Sequence, residues 1–522
     1  MKKSYRVAAA ALSAFMAAGL LSGCGDKKAN GDTVSVSWWI ANNASPIVKS
    51  YDEVASIQKI KEKFGMEIQF VHPSSSQETE QFNIMAASGD FKDIVTFNWN
   101  AYTGGPVKAA KDGAILILDD YLEKNMPNLL DKMKADPDVN YLARGYDGSV
   151  CVVPTFTNDI ITAATFGPQI RKDWLDKLGL EVPTTMDEWH DVLTAFKTKD
   201  PNGNGQADEI PFMADGNAAF TRFAAAFNGV GETFYVDGSG KVRFGFIEPD
   251  FRDFLATMNQ WYQEGLIYSE YAAADSATLD NKMTTNVGGS FVGYCGSAMS
   301  KYMAAARGSN PDYTLVGVPW PKSADGKSYC GYTYQIMRGV PGKGMAISAK
   351  NKNVEKSLQM IDYMYGDEGS VLMNWGIEGE SYTKTDDGYH FTDSILHNAE
   401  GKSPIEAISR YALTQWQPAL MRADAFMELN GAFDEQNDAM KTWVEADTSH
   451  ILPNLTISPE EQAEITKVMD DIYILRNEWV HKLIMGVEPM SKWDEVAGKI
   501  KDMGIDKAIS VYQTAYDRYV NQ

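Results

Sequence analysis

The sequence is poor in histidine, in cysteine and in positive charge, and each shortage closes off a class of function. The six histidines (His72, His190, His390, His397, His450 and His481) are scattered, with no spacing that gathers metal ligands or sets a base beside a nucleophile. The four cysteines contain no C-x-x-C pair, which argues against a structural zinc site. No G-x-S-x-G elbow occurs. "GKS" stands at Gly326–Ser328 and Gly401–Ser403, but neither has the upstream glycine of a phosphate-binding loop. Lysine and arginine number 48 against 70 acids, a net charge of −22. Such a chain has no positive field with which to neutralise phosphates, so nucleic acid is not a partner. Beyond the N-terminus, no run approaches the ~20 apolar residues that a membrane span needs.

What is present begins at that N-terminus. Lys2, Lys3 and Arg6 precede an apolar stretch from Val7 to Leu21, the layout of a secretory signal over residues 1–23. Leu21-Ser22-Gly23-Cys24 resembles the lipobox of bacterial lipoproteins, which implies acylation of Cys24, palmitate included, and a polar tether over 24–32. Several acyl chains would anchor the exported protein to the outer face of the cell membrane. Cys151, Cys295 and Cys330 remain, an odd number that permits at most one internal disulfide or three separate buried thiols. At 522 residues the chain exceeds one core, so two or three domains are expected.

"TVSVSWWI" reads as a strand, with Val34 and Val36 alternating against serines. An amphipathic helix follows, with Val54, Ile57, Ile60 and Phe64 on one face and Gly65 at its end. "MEIQFV" is a second strand, giving a β-α-β unit and a parallel sheet. A helix near 78–87 and a strand at 93–97 continue the alternation, so the fold class is α/β. Thr184 or Thr185 caps a later helix, and Ser458, Pro459 and Glu461 open a long one that Gly486 closes.

"DPNGNGQADEIP" spaces oxygen-bearing side chains as a calcium loop does. Asp200, Asn202, Asn204, Gln206 and Asp208 fill positions 1, 3, 5, 7 and 9, and Gly205 takes the sharp turn at position 6. Pro211 replaces the usual glutamate at position 12, and Glu209 is the carboxylate left to supply that charge. The alternative is a loop of Asx turns with no metal.

Several stretches, in order along the chain, resemble the sugar-binding solute-binding proteins of bacterial ABC importers, family 1. They are the lipobox, "AASGDFKDIV" (86–95), "DGSVCVVP" (147–154), "IRKDWLDKLGLEVPTTMDEW" (170–189), "NWGIEGESY" (374–382) and "MGIDKAISVYQTAYDRY" (503–519). The nearer likeness is to large lipoproteins of that group and to alginate-oligosaccharide-binding proteins, whose similar loop binds calcium. Cys151 stands where an aromatic residue is common, which would change one wall of the expected cleft, and Phe91-Lys92 interrupts the usual Gly-Asp-x-Pro-Asp.

The resemblance implies a two-lobe fold of the periplasmic-binding-protein type, hinged about an interlobe cleft. Residues 33–154 with 334–385 form the expected first lobe, and 155–333 with 386–522 the second. It implies an oligosaccharide ligand, ABC permease subunits as membrane partners, a monomer, and structural calcium held by Asp200, Asn202, Asn204, Gln206, Asp208 and Glu209. Sugar faces stack on aromatic rings and sugar hydroxyls pair with amides and carboxylates. The strand ends therefore nominate Trp38, Trp39, Asn42, Asn98, Trp99 and Tyr102, and the later segments Trp375, Glu378 and Trp416. A peptide or other small-solute receptor on the same fold is the alternative. A surface-anchored glycan-active enzyme is another, but no local carboxylate pair points to one.

Overall fold

The computed structural model describes residues 34–43, 47–332, 338–400, 402–431 and 433–521. Cys24, the signal segment and the tether lie outside them. Among the described residues, no helix is long and apolar enough to cross a membrane.

The chain opens with the expected β-α-β unit. Strand β1 (Val34–Trp39) pairs in parallel with β2 (Met66–Val71), from Val34 opposite Met66 to Trp39 opposite Val71. The helix between them, Ala55–Phe64, buries Ile57 and Ile60 and stops at Gly65, whose φ of 56° is the left-handed turn that glycine adopts most easily. Strands β3 (Ile94–Asn98) and β4 (Val153–Thr157) follow, and β3 lies parallel to β1 on the side away from β2. Two helices anchor this lobe through one side chain. Asp362 accepts from the backbone N–H groups of Asn128 and Leu129, at the start of the helix Pro127–Ala135, at 3.2 and 2.9 Å.

After β4 the chain builds a second sheet. Strand β5 (Phe166–Arg171) is central, while β6 (Phe234–Val236) and β7 (Val242–Phe244) form a separate ribbon. Strands β8 (Ser290–Tyr294) and β9 (Leu315–Gly317) flank β5, both antiparallel to it. The chain then returns. Strand β10 (Gly339–Ile347) enters between β3 and β4, antiparallel to both. The ribbon of β11 (Tyr382–Thr385) and β12 (Gly388–Phe391) follows, and β13 (Leu420–Met421) joins the edge beside β4. The first sheet thus runs β13-β4-β10-β3-β1-β2, and helices cover both of its faces.

The sheets and cores divide the chain later than expected. Strand β4 runs to Thr157, beyond the expected end at 154. Residues 386–421 belong with the first lobe, not the second. Leu413, Ala419 and Leu420 sit in its core, and the amides of Ala55 and Ser56 donate to the carbonyls of Arg410 and Tyr411, both at 3.0 Å. The expected return at 334 falls outside the described residues, and β10 begins at Gly339.

The helices from Pro459 onward pack on the second lobe's core. Thr185 and Glu188 form a capping box on the helix Met186–Thr198, and Ser458 and Glu461 form another on Pro459–Ile484. Gly504, in left-handed conformation, separates the last two helices. Trp174, Trp189, Trp261 and Trp493 are buried in the second lobe's core, with Trp479 packed against it. Cys151, Cys295 and Cys330 are free, buried thiols.

The helix Asp434–Val444 is pinned onto the second sheet by Trp443, which is fully buried and donates its indole N–H to the Val318 carbonyl at 3.0 Å. The ring lies where side chains on β5 and β9 would be. A Cβ on Gly167 would stand 2.4 Å from it, and one on Gly317 would stand 2.5 Å from the Cβ of Ala439. Trp443→Ala is therefore expected to cost about 3–5 kcal/mol, and Gly167→Ala about 1–3 kcal/mol by overpacking. Urea unfolding followed by near-ultraviolet circular dichroism checks both. An unchanged midpoint for Gly167→Ala would show that the helix is free to shift.

Candidate functional site

Strands β1, β3 and β4 point the same way, so their carboxyl ends share one edge of the first sheet. Ligands of α/β folds sit at such ends, where backbone groups and loop side chains are free to face a solute. A cavity of about 380 Å³ lies there. Ile40, Ala41 and Asn43 line it from the end of β1, Thr96, Phe97 and Asn98 from β3, Thr155 from β4 and Lys343 from β10. Glu78, the first residue of the helix Glu78–Ser88, and the loop Gln415–Pro418 close it.

Local bonds hold this wall in place. Thr96 accepts the indole N–H of Trp38 at 2.8 Å, and Thr155 donates to the Pro418 carbonyl at 2.6 Å. Gln417 accepts from the Ala419 amide at 2.6 Å through its oxygen, and its Nε2 is buried without a hydrogen-bond partner. Trp416, 44% exposed, presents an indole face to solvent at the rim. The wall carries one carboxylate, Glu78, and one ammonium, Lys343. Burial raises the Glu78 pKa while Lys343 pulls it down.

The chain passes between the sheets at this same edge, and its crossings are stitched together. Thr157 donates its amide to the Arg338 carbonyl at 2.8 Å, joining the first crossing to the second. Asn158 donates to the Met421 carbonyl at 3.1 Å and accepts from the Ala423 amide at 2.8 Å, joining the first to the third. On the far side of these crossings the second sheet presents aromatic rings. Phe166 opens β5 and pairs in register with Tyr294, the last residue of β8. Tyr332, just before the second crossing, stacks on Phe166 at 4.6 Å, and its hydroxyl lies 3.0 Å from that of Tyr294. Arg222 sits over the Phe166 ring at 4.9 Å and faces Glu232 at 3.9 Å. Tyr294 is 45% exposed.

Of the residues nominated from the sequence, Asn98 and Trp416 line the cavity. Trp38 and Trp39 point to opposite faces of the sheet, and both are buried in helix-covered cores. Trp99 is buried with Phe82 and Phe91, and Trp375 with Tyr389 and Phe391, so none of these four rings has a free face. Asn42 donates to the Val48 carbonyl at 2.6 Å and pins its own loop. Tyr102 donates to Asp112 at 3.0 Å, outside the cavity lining. Glu378 lines a different groove of the first lobe, beside Lys59 and Tyr363. Cys151 is buried in the core around Trp99, outside the lining of this cavity, and borders a separate pocket with Arg144, Leu455 and Thr456. The sequence reading missed Asn43, Glu78, Lys343 and the Tyr294 wall. Gln415 and Gln417 carried a signal as the polar neighbours of Trp416, whereas Lys343 carried none.

The loop Asp200–Glu209 is folded around its own polar atoms. Asp200, at a φ of 44°, accepts the amides of Gly203, Asn204 and Gly205 at 2.9, 3.1 and 3.0 Å. The amide groups of Asn202 and Asn204 donate to the Asp208 carboxylate at 2.9 to 3.1 Å, and the Asn204 oxygen accepts from the Gln206 amide at 2.7 Å. Glu209 Oε1 is buried with no hydrogen-bond partner. Burial, with Asp200 and Asp208 nearby, raises its pKa. Among the described residues, no three His, Cys, Asp or Glu side chains are gathered as a metal site.

Residues 49–371 match the bacterial extracellular solute-binding protein family. FusA of Streptococcus pneumoniae, a fructooligosaccharide ABC transporter substrate-binding protein, is 27% identical over 495 residues, 90% of this chain and 88% of FusA. Lipoprotein LipO of Bacillus subtilis is 26% identical over 517 residues, 95% of this chain and 94% of LipO. The solved alginate-binding protein AlgQ2, crystallised without calcium ion, superposes with a TM-score of 0.67 at 22% identity, over 93% of this chain and 99% of that one. An EF-hand mutant of FusA in complex with fructo-nystose gives a TM-score of 0.70 at 24% identity, over 94% and 100%. The solved neighbours share the two-lobe α/β architecture, and the family match spans well over half of the sequence. This chain therefore belongs to the bacterial extracellular solute-binding proteins, and it is a binding protein, not an enzyme.

Proposed function

We propose that the protein captures an oligosaccharide in the cleft between its lobes and presents it to an ABC permease. The observation that carries this reading is the cavity at the carboxyl ends of β1, β3 and β4, on the edge where the chain passes to and from the second sheet. In this reading the chain works as a monomer, tethered through acylated Cys24. The passages beside Thr157, Arg338 and Met421 form the hinge between the two sheets. Trp416 stacks on a sugar ring. Asn98 and the neighbouring amides pair with hydroxyls, and Tyr294 meets the ligand from the second lobe. A ligand touching both walls favours the closed form because only that form satisfies both sets of contacts. FusA and AlgQ2, by the ligands named for them, support a carbohydrate.

Calcium at the Asp200–Glu209 loop belongs to the same proposal. The residues fit such an ion. Glu209 Oε1 is buried without a partner, and its carboxyl is close enough to Asp200 and Asp208 for them to raise its pKa. These acids, the amide oxygens of Asn202 and Asn204 and the backbone carbonyl of Gln206 would hold the ion. Three carboxylates alone leave a coordination shell incomplete, and the amides complete it. The ion would supply charge compensation and rigidity where the loop leaves the helix Met186–Thr198. The FusA EF-hand mutant and the calcium-free AlgQ2 crystals support the idea that relatives carry such a site.

Three outcomes are expected. Trp416→Ala and Tyr294→Ala should each weaken oligosaccharide binding about tenfold, the loss of ~1.4 kcal/mol of ring contact, and Trp416→Ala should leave the melting temperature of the free protein unchanged. Calorimetry with a sugar panel measures this, and full affinity in both variants would remove the stacking assignment. Calcium in excess should raise the melting temperature, adding on the order of 2.7 kcal/mol at 100 times its Kd, and Asp200→Ala should abolish the rise. No calcium on elemental analysis, with no response to chelator, would leave an Asx-turn loop. Cys24→Ala should move the protein from the membrane to the soluble fraction, and retention on the membrane would exclude the lipid anchor.

A further inference from the structure

We infer that the cleft is built for an uncharged oligosaccharide and rejects oligomers of uronic acids. This rests on the carbohydrate reading above and narrows it, because family membership alone leaves neutral and acidic sugars equally open.

The charges around the site are the first argument. Among the described residues lining the cavity, Lys343 is the one cation and Glu78 the one carboxylate, so the wall has no net charge to offer an anion. At the second sheet, Arg222 and Arg476 both lie 3.9 Å from Glu232, and Arg222 also covers the Phe166 ring. The arginines beside the crossings are also engaged, Arg338 with Asp136 at 2.6 Å and Arg422 with Asp424. A uronate oligomer brings one carboxylate per sugar, and each would lose its water in the cleft without a cation to replace it. The chain's net charge of −22 adds repulsion before contact.

The amides are the second argument. Asn43, Asn98, Gln415 and Gln417 line one cavity. Each side-chain amide both donates and accepts, and a hydroxyl does the same, so the two match without a charge. A carboxylate only accepts, so it uses the amide N–H groups alone and offers no donor in return. The unpartnered Nε2 of Gln417 is a buried donor in this wall.

The test uses purified full-length protein, calcium and matched oligosaccharide pairs that differ only in a C6 hydroxymethyl or carboxylate, such as α-1,4-linked trimers of galactose and of galacturonic acid or their glucose equivalents. Calorimetry at low and high salt reads both members of each pair. At least one neutral member should bind, at least tenfold tighter than its uronate and with no salt dependence. A uronate that binds as tightly as its neutral partner, and weakens with salt, would overturn this inference and leave the carbohydrate receptor standing. Silence from every pair, with the protein folded, would overturn both. Gln415→Lys separates charge from shape, since it should bring salt-sensitive uronate binding. The absence of any gain would mean that charge is not what excludes the acid sugars.

Discussion

The placement of β10 constrains everything else. It lies between β3 and β4 and antiparallel to both, so the middle of the first sheet is completed by a strand that arrives only after the chain has visited the second lobe. A strand inserted there must enter at the carboxyl edge of its neighbours, because it runs opposite to them. That places the return crossing beside the exit from β4, and β13 brings the third crossing to the same corner. The hydrogen bonds of Thr157 and Asn158 then tie the three passages into one joint. Sheet topology alone thus puts the three passages next to the carboxyl ends of β1, β3 and β4.

The tryptophans show how much of a binding site is support. Trp38 does not face the cavity, yet its indole N–H fixes Thr96, which does. Trp99 and Trp39 fill the space under the ends of β3 and β1, so that the loops above them cannot sag. Trp443 performs the equivalent task on the other lobe by filling the space that Gly167 and Gly317 leave on the second sheet. Rigid walls lower the ordering cost of binding, which is what converts a modest set of hydrogen bonds and stacked rings into useful affinity.

Local features were legible in the sequence because they are encoded locally. The alternation in β1, the stop at Gly65 and the capping boxes at Thr185 and Ser458 all depend on residues within a few positions of one another. The class of fold followed from the strand-helix alternation and the resemblance. The membership of 386–421 was not legible, because β13 is two residues long and pairs with a strand more than 260 positions earlier. The choice of ligand-facing tryptophans failed for a related reason. A strand end covered on both faces buries both neighbours of a Trp-Trp pair, and nothing in the sequence reports that second layer of helices. Trp416 was legible because its neighbours Gln415 and Gln417 are polar, a composition that no core would favour. Lys343 was not legible, because its place opposite Asn98 is set by the register of β10 and not by any motif.

Binding and closure are separate demands on this architecture. The first-lobe cavity carries most of the polar groups, so a solute could settle there with the lobes apart. Such contacts would be equal in the open and closed forms and would shift nothing, however tight the binding. Only groups reached on closure distinguish the two forms. The exposed Tyr294, backed by Phe166 and Tyr332 and braced by Arg222 over the Phe166 ring, is such a group, and it stands at the end of the second sheet nearest the joint. Its aromatic face needs a broad apolar sugar face to rest on, and a small polar solute held by Asn98 alone would not provide one. The second wall therefore does two things at once. In the function proposed above, it would make closure a report of occupancy and restrict that report to ligands large enough to span from Trp416 to Tyr294.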